Sequence, residues 1–357
     1  MKKELNVRQI SLFFITFVPV TKLILMPSVL AGTAGEDLYI SVLITSLLEV
    51  FTAFMILAAY KKHKTDFFNV LSSHFGKTGK AVILVLYFLY FTVKLFSPLN
   101  EQKEYVHLTL YETAPTFFSF APFFLVAVLI CVAELRTLGR LSDLLFPLTV
   151  LSIALVFGLS IQSLDFTAVM PVGANGIKKI ITASYYSLNW FGDAVYLLFF
   201  IGNFKPEKHG TLKIILSYSA SLFVSVLFAL TFYLAFGPIA ERTQFALTDI
   251  SKYSTVINNI GRIDYCAIFA ILGVSAISLS LPMFFQVSII KELFSLKKKT
   301  VPAVVVPLFY LILTFALSEN FIAVQTFIQK YLGFFFLFFS NVFPSLTYFL
   351  RRKNVKS

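Results

Sequence analysis

Phe17-Val18-Pro19-Val20-Thr21-Lys22-Leu23 lies in the middle of an apolar stretch that runs from Ile10 to Gly32. A bilayer-spanning helix needs roughly 20 mainly apolar residues, and this stretch is long enough. Two of its residues do not suit a plain span. Pro19 removes a helix hydrogen-bond donor and clashes with the preceding turn. Lys22 follows three residues later, about midway across, where a charge costs roughly 2.5–3.5 kcal/mol on insertion scales. A helix broken at Pro19 would leave free carbonyls to surround that ammonium. Two readings stand side by side: Lys22 belongs to a ligand or ion site, or its flexible stem carries the charge to an interface. The stretch is too long for the core of a cleaved signal, and Ala31-Gly32-Thr33-Ala34 resembles a cleavage site only superficially, so the expectation is a first span.

Working outward, the rest of the 357 residues repeats the pattern. Apolar residues make up 58% of the chain and charged residues 13%, about half the charge of a soluble domain. A soluble globule must still cover itself with polar groups, so it could not absorb this much apolar surface. A bilayer can, and the 43 phenylalanines suit lipid-facing helices. The spacing predicts ten spans, at about 9–32, 38–60, 80–99, 115–134, 142–163, 183–203, 212–238, 263–290, 301–318 and 329–350. They leave no room for a sizeable soluble domain, and residues 1–357 read as a single transmembrane domain.

The net charge of +12 sits in the joints between spans rather than on one face. That excludes a nucleic-acid surface and makes the charge a topology signal. With the N-terminus inside, 21 of the 30 lysines and arginines fall in inside segments, 7 in outside joints and 2, Lys22 and Lys94, within spans. Both termini are therefore expected in the cytoplasm. Residues 65–77 carry apolar positions at helical spacing and read as a short helix on the cytoplasmic surface or as ordinary connection. The joint 241–261 is the longest outside one, a candidate gate or docking loop or again a plain connection.

A second irregularity falls in span six, at Ser187-Leu188-Asn189-Trp190-Phe191-Gly192-Asp193. Gly192 permits unwinding and close approach of the backbone. Asp193 lies near mid-span, and the segment holds the chain's one tryptophan. The alternative is an interfacial Trp190 with Asp193 facing water. Interrupted helices in matching positions of two halves are the best sequence pointer to a transporter substrate site. In span three, Tyr87, Tyr90 or Phe91, and Lys94 share a face that lines a pathway or simply packs. Small and hydroxyl residues in span eight (Gly273, Ser275, Ser278, Ser280) point to close helix packing. Arg140 and Asp143 at the start of span five suggest a local ion pair. The candidate substrate-binding residues are Val20, Thr21, Lys22, Leu23, Tyr87, Tyr90, Trp190, Gly192 and Asp193.

Catalytic, metal and cofactor sites are not expected. His63, His74, His107 and His209 lie in joints or near interfaces without metal-ligand spacing. Neither a Gly-rich phosphate loop nor a nucleophile elbow occurs. Cys131 and Cys266 lie within spans and form neither a disulfide framework nor a metal motif.

A set of weak marks extends along the chain. Val7-Arg8-Gln9-Ile10-Ser11 leads into the broken helix that ends Ile24-Leu25-Met26-Pro27, and Gly35-Glu36-Asp37 precedes Leu38-Tyr39-Ile40. Gly139-Arg140-Leu141-Ser142-Asp143-Leu144-Leu145-Phe146-Pro147 opens span five. Asp165-Phe166, Pro171, Gly173 and Gly176-Ile177 precede span six, which carries Phe191-Gly192-Asp193. Gly261-Arg262-Ile263-Asp264-Tyr265 opens span eight. From about residue 6 to 353 this pattern resembles the spore germination permeases, the B-type membrane subunits of germinant receptors, within the amino acid–polyamine–organocation transporter superfamily. The resemblance implies a ten-helix, five-plus-five inverted-repeat fold with helices one and six unwound at the ligand. It also implies partner receptor subunits, a small nutrient ligand, and the inner membrane of a bacterial spore. Thr21-Lys22 departs from the small residues usual in that family at the span-one break, which points to an altered or cation-independent site. The expected function is a germinant-sensing subunit that binds an amino acid at mid-membrane. An amino acid or amine transporter, with proton coupling through Asp193 as one form of it, is the alternative. A membrane enzyme such as an acyltransferase would need a His/Asp or metal constellation that the spans lack.

Overall fold

A computed structural model describes residues 5–63, 65–204, 207–252, 264–317 and 320–350. The chain is helical throughout, and the one β contact among the described residues is an isolated bridge between Leu5 and Phe204. The helices are α1 Val7–Phe17, α2 Met26–Ala34, α3 Leu38–His63, α4 Phe67–Leu110, α5 Thr116–Val132, α6 Leu135–Ser160, α7 Gly176–Ser187 and α8 Tyr196–Phe200. They continue with α9 Gly210–Phe236, α10 Ala246–Lys252, α11 Asp264–Leu293, α12 Thr300–Ala316, α13 Phe321–Tyr331, α14 Gly333–Leu337 and α15 Phe343–Leu346. Each of the ten stretches expected as spans contains helix. Span one is α1 plus α2, and span six is α7 plus α8.

Among the described residues, five continuous helical stretches are long and apolar enough to cross a membrane: Met26–His63, Phe67–Leu110, Leu135–Ser163, Gly210–Arg242 and Asp264–Leu293. The other expected spans are interrupted or slightly short, as at Thr116–Val132 with 17 residues. Large apolar side chains face outward on the outer helices, including Leu47, Leu125, Leu144 and Leu151, each more than 60% exposed. Water would penalise that surface, whereas lipid does not. The chain is thus an all-α, multi-pass integral membrane protein.

Several boundaries differ from the sequence expectation. Span three was expected to end at 99, beside Pro98. The helix instead continues to Leu110, because a proline inside a helix can be tolerated when its neighbours satisfy the freed backbone. The segment after Asp66 is helical as expected. The Asp66 carboxylate caps it by accepting from the Asn69 N–H at 2.8 Å, and Phe67, Val70 and Leu71 are buried. Gly76, at φ 70°, bends this short piece away from the rest of α4. Asp143 is paired, but with Arg8 of α1 at 3.2 Å rather than with Arg140, and Gln9 donates to the same carboxylate. In the joint 241–261, residues 253–260 and Gly261 lie outside the described residues, as do Arg262 and Ile263 of the span-eight opening.

The centre of the bundle is made by α1, α3, α4, α9 and α11 around the short helix α8, while α7 packs against α2 and α3. Phe13, Phe14, Phe91, Tyr196, Phe199 and Phe285 fill it, with ring centroids such as Phe13–Phe200 at 4.8 Å and Phe199–Phe285 at 4.8 Å. The acidic joint after α2 ties the two halves together. The Asp37 carboxylate accepts from the Gly173 and Asn175 N–H groups at 2.7 and 3.2 Å.

Candidate functional site at the two broken helices

In a regular helix the Lys22 N–H would bond to the Val18 carbonyl four residues back. After Pro19 it bonds to the Pro19 carbonyl at 2.9 Å instead, and Val20–Lys22 form a tight 3₁₀ turn. The Val18 carbonyl is thereby released, and the Lys22 ammonium donates to it at 2.8 Å. Another carbonyl at the same break, that of Phe17, accepts from Ser278 Oγ of α11 at 2.9 Å. Of the carbonyls at this break, that of Val18 holds the ammonium and that of Phe17 is taken by Ser278.

Span six breaks between Ser187 and Asp193. Gly192 takes φ 93°, the left-handed region that favours glycine, and a 3₁₀ turn begins at Asp193. The break leaves donors and acceptors unpaired by helix bonds, and side chains from α3 and α4 meet them. Lys94 of α4 donates to the Phe191 carbonyl, and the Tyr90 hydroxyl donates to the Gly192 carbonyl at 3.4 Å. The Glu49 carboxylate of α3 accepts from the Gly192 and Ala194 N–H groups at 3.0 and 3.2 Å and from the Tyr218 hydroxyl at 2.6 Å.

The two breaks are joined by charge. Lys22 Nζ lies 2.5 Å from Asp193 Oδ2, and Lys94 Nζ lies 3.2 Å from Asp193 Oδ1. Lys22 and Glu49 are 0% exposed, and Lys94 and Asp193 are nearly so. When all four are ionised, two ammoniums balance two carboxylates. Isolated charges would be very costly at this depth, so the balance is what makes the cluster tolerable. The Lys22 ammonium also sits 5.2 Å from the centre of the Phe191 ring, a cation–π contact.

Beside this cluster is a small cavity lined by Thr21, Lys94, Asn189, Trp190, Asp193 and Ser278, among others. Its volume is about 20 Å³, roughly enough for one ordered water. An amino acid would need the walls to part. Trp190 forms one wall, and its indole N–H donates to the Glu101 carboxylate at 2.9 Å. Glu101 also accepts from Gln325 of α13 at 3.0 Å. On the far side of this latch, Glu101, Glu104 and Leu25 help line a larger cavity of about 560 Å³.

The expected site residues are therefore distributed as follows. Thr21, Trp190 and Asp193 line the cavity, and Lys22 reaches Asp193 from behind it. Gly192 and Tyr90 shape the break. Val20 and Leu23 are buried in the apolar core. Tyr87 lies apart from the cavity lining, and its hydroxyl meets the Phe339 carbonyl at 3.3 Å. The sequence reading passed over Glu49, although an acid inside a span carries the same signal as Lys22. Lys94 was noticed but not placed in the site. Glu101 was assigned to a joint because span three was ended too early.

Glu49 suggests a direct test. Glu49→Gln keeps one carbonyl-type acceptor where two N–H groups and a hydroxyl converge, so at least one buried donor loses its partner. The expected cost is about 1–3 kcal/mol, measured as a lowered unfolding midpoint of the purified protein. A midpoint equal to wild type would show that the break does not depend on Glu49.

Comparison with known proteins fits this geometry. The family model described as spore germination protein matches residues 4–322. Comparison with curated proteins brought no matching relative. Among solved structures, the chain is similar to Mhp1, a nucleobase-cation-symport-1 family transporter in a closed conformation with bromovinylhydantoin bound. The TM-score is 0.61 at 10% identity, covering 90% of this chain and 75% of that one. It is also similar to the Eremococcus coleocola manganese transporter in complex with an aromatic bis-isothiourea substituted compound. There the TM-score is 0.59 at 12% identity, covering 98% of this chain and 81% of that one. At such identities the likeness establishes the fold, a transporter fold of two five-helix halves whose first helices are interrupted.

Proposed function

The chain belongs to the spore germination protein family, and from that premise we propose that it is the membrane subunit of a spore germinant receptor which binds an amino acid between the broken helices. The observation that carries this reading is the buried Lys22–Asp193–Lys94 bridge, which joins both breaks beside a polar cavity. A zwitterion suits such a bridge. Its ammonium competes for Asp193 and its carboxylate competes for Lys94 or Lys22. Exchange of one internal ion pair for two ligand pairs would loosen the tie between spans one and six. A ligand biases an equilibrium only through its different affinity for the two states, and the state with a wider cavity is the one it favours. That movement would pass to the other receptor subunits. In this reading residues 1–357 act as one transmembrane domain in the spore inner membrane with both termini cytoplasmic. The excess of lysine and arginine in alternate joints supports that orientation.

Lys22 also supports a cation-independent site. In broken-helix transporters, freed carbonyls hold a coupling cation. Here a tethered ammonium already spans the Val18 carbonyl and Asp193. Replacing sodium by choline at constant ionic strength is expected to change amino-acid affinity by less than about twofold, read by titration of the purified protein. A strong sodium requirement would contradict the role given to Lys22.

A transporter for amino acids or amines is the second reading, favoured by the fold shared with transporters. Proteoliposomes separate the two. Binding of a labelled amino acid without accumulation supports the receptor, and accumulation driven by a proton gradient would replace it with transport.

A further inference from the structure

The freed backbone groups described above at the two breaks are met by side chains, but one side chain in span six is not. Asn189 is 1% exposed, and neither its Oδ1 nor its Nδ2 has a hydrogen-bond partner. Its backbone is held, with the N–H donating to the Tyr186 carbonyl at 3.4 Å. The carboxamide itself lines the cavity together with Thr21, Lys94, Trp190, Asp193 and Ser278. Buried polar groups are nearly always paired, and one that is not calls for an explanation. Here both a donor and an acceptor are open on the same wall of the site.

Lys94 and Asp193 differ from Asn189 in what they can recognise. They are charged and answer the carboxylate and ammonium that every amino acid carries, so they cannot tell one amino acid from another. The side chain must be read by the remaining wall. Leu279 and Pro282 offer apolar contact there, while Asn189 offers its NH2 as donor and its carbonyl oxygen as acceptor. An aliphatic side chain would leave both buried and unpaired. A hydroxyl pairs with either, and a carboxamide pairs with both reciprocally. A charged side chain would upset the balance of Lys22 and Lys94 against Asp193 and Glu49.

We propose that Asn189 is the specificity-determining residue of the site, and that it selects a small amino acid with a neutral hydrogen-bonding side chain, a hydroxyl or a carboxamide. The inference rests on the ligand-site reading above and adds the class of ligand. Discrimination of this kind is strong because the wrong ligand leaves the site's own polar atoms unpaired.

The test uses the purified full chain in detergent, titrated with serine, threonine, asparagine, alanine and valine, with binding read from the rise in unfolding temperature. The expected result is roughly tenfold or greater preference for the best hydroxyl or carboxamide ligand over alanine and valine. In Asn189→Leu that preference should collapse while alanine still binds. Asn189→Ser, whose hydroxyl can turn back to the last carbonyls of α7, provides a second variant and should also weaken the preference. If wild type binds alanine or valine as tightly as serine and asparagine, the inference fails and the ligand site stands. It fails likewise if the preference survives in both variants. If no amino acid in the panel raises the unfolding temperature of wild type, the ligand-site reading falls, and this inference with it.

Discussion

Spores carrying Lys22→Ala are expected to lose the nutrient response while the protein still inserts in the membrane. Lys22 supplies the ammonium that ties Asp193 to the Val18 carbonyl. Removing it leaves the cluster with one ammonium against two carboxylates in a dry interior. Breaking a buried pair in this way costs about 3–5 kcal/mol, because the remaining charge stays buried without its partner. The volume-preserving Lys22→Met variant separates charge from packing. It should be nearly as damaging, and adding Asp193→Asn should recover part of the lost stability, since Lys94 and Glu49 then balance alone. A coupling of about 1–3 kcal/mol in that double-mutant cycle is expected, measured by thermal unfolding of the purified variants. The double variant should remain unresponsive, because the groups that meet the ligand are gone. Normal germination of Lys22→Ala spores would remove Lys22 from the site.

Gly192→Val is expected to be comparably severe for a different reason. The residue sits at φ 93°, where a branched side chain is strained by at least about 1–2 kcal/mol. A Cβ there would also run into the Tyr90 hydroxyl, Ser340 and the Lys94 ammonium. Overpacking of this kind adds about 1–3 kcal/mol. The same atoms form the site, so the clash displaces Tyr90 and Lys94 from the Gly192 and Phe191 carbonyls. Gly192→Ala should be milder, and pairing it with Tyr90→Phe should relieve part of the damage by removing the nearest atom. The readouts are unfolding temperature and spore germination. A Gly192→Val protein of wild-type stability and response would show that the break does not require glycine.

Both predictions draw on features that the sequence displays openly. Pro19, Lys22, Gly192 and Asp193 interrupt apolar stretches, and interruption is a local signal that needs no tertiary information. The pairing of Lys22 with Asp193 was not legible, because 171 residues separate them and nothing in either span names the other. Glu49 shows a different limit. It shares a helix face with Ser41, Thr45 and Thr52, a pattern that close packing by hydroxyls also explains, and only the structure places its carboxylate against the N–H groups of Gly192 and Ala194. Glu101 lies just past the point, near residue 99, where the apolar stretch gives way to polar residues, and apolar content alone stops the span there. The helix α4 instead runs on through Pro98 and carries Glu101 inward to Trp190. Asn189 was in plain view within the span-six motif. Its importance lies in what it does not bond to, and no sequence pattern reports that.

The central claim is that the two broken helices form one amino-acid site closed by the Lys22–Asp193 bridge. Thermal unfolding of the purified chain with and without a panel of amino acids, in wild type and Lys22→Met, tests it most directly. A ligand present at 100 times its dissociation constant stabilises the state it binds by about 2.7 kcal/mol. A clear rise in unfolding temperature is expected for at least one amino acid with wild type, and none with Lys22→Met at the same concentration. An equal rise in both proteins, or no rise with any amino acid in wild type, would contradict it.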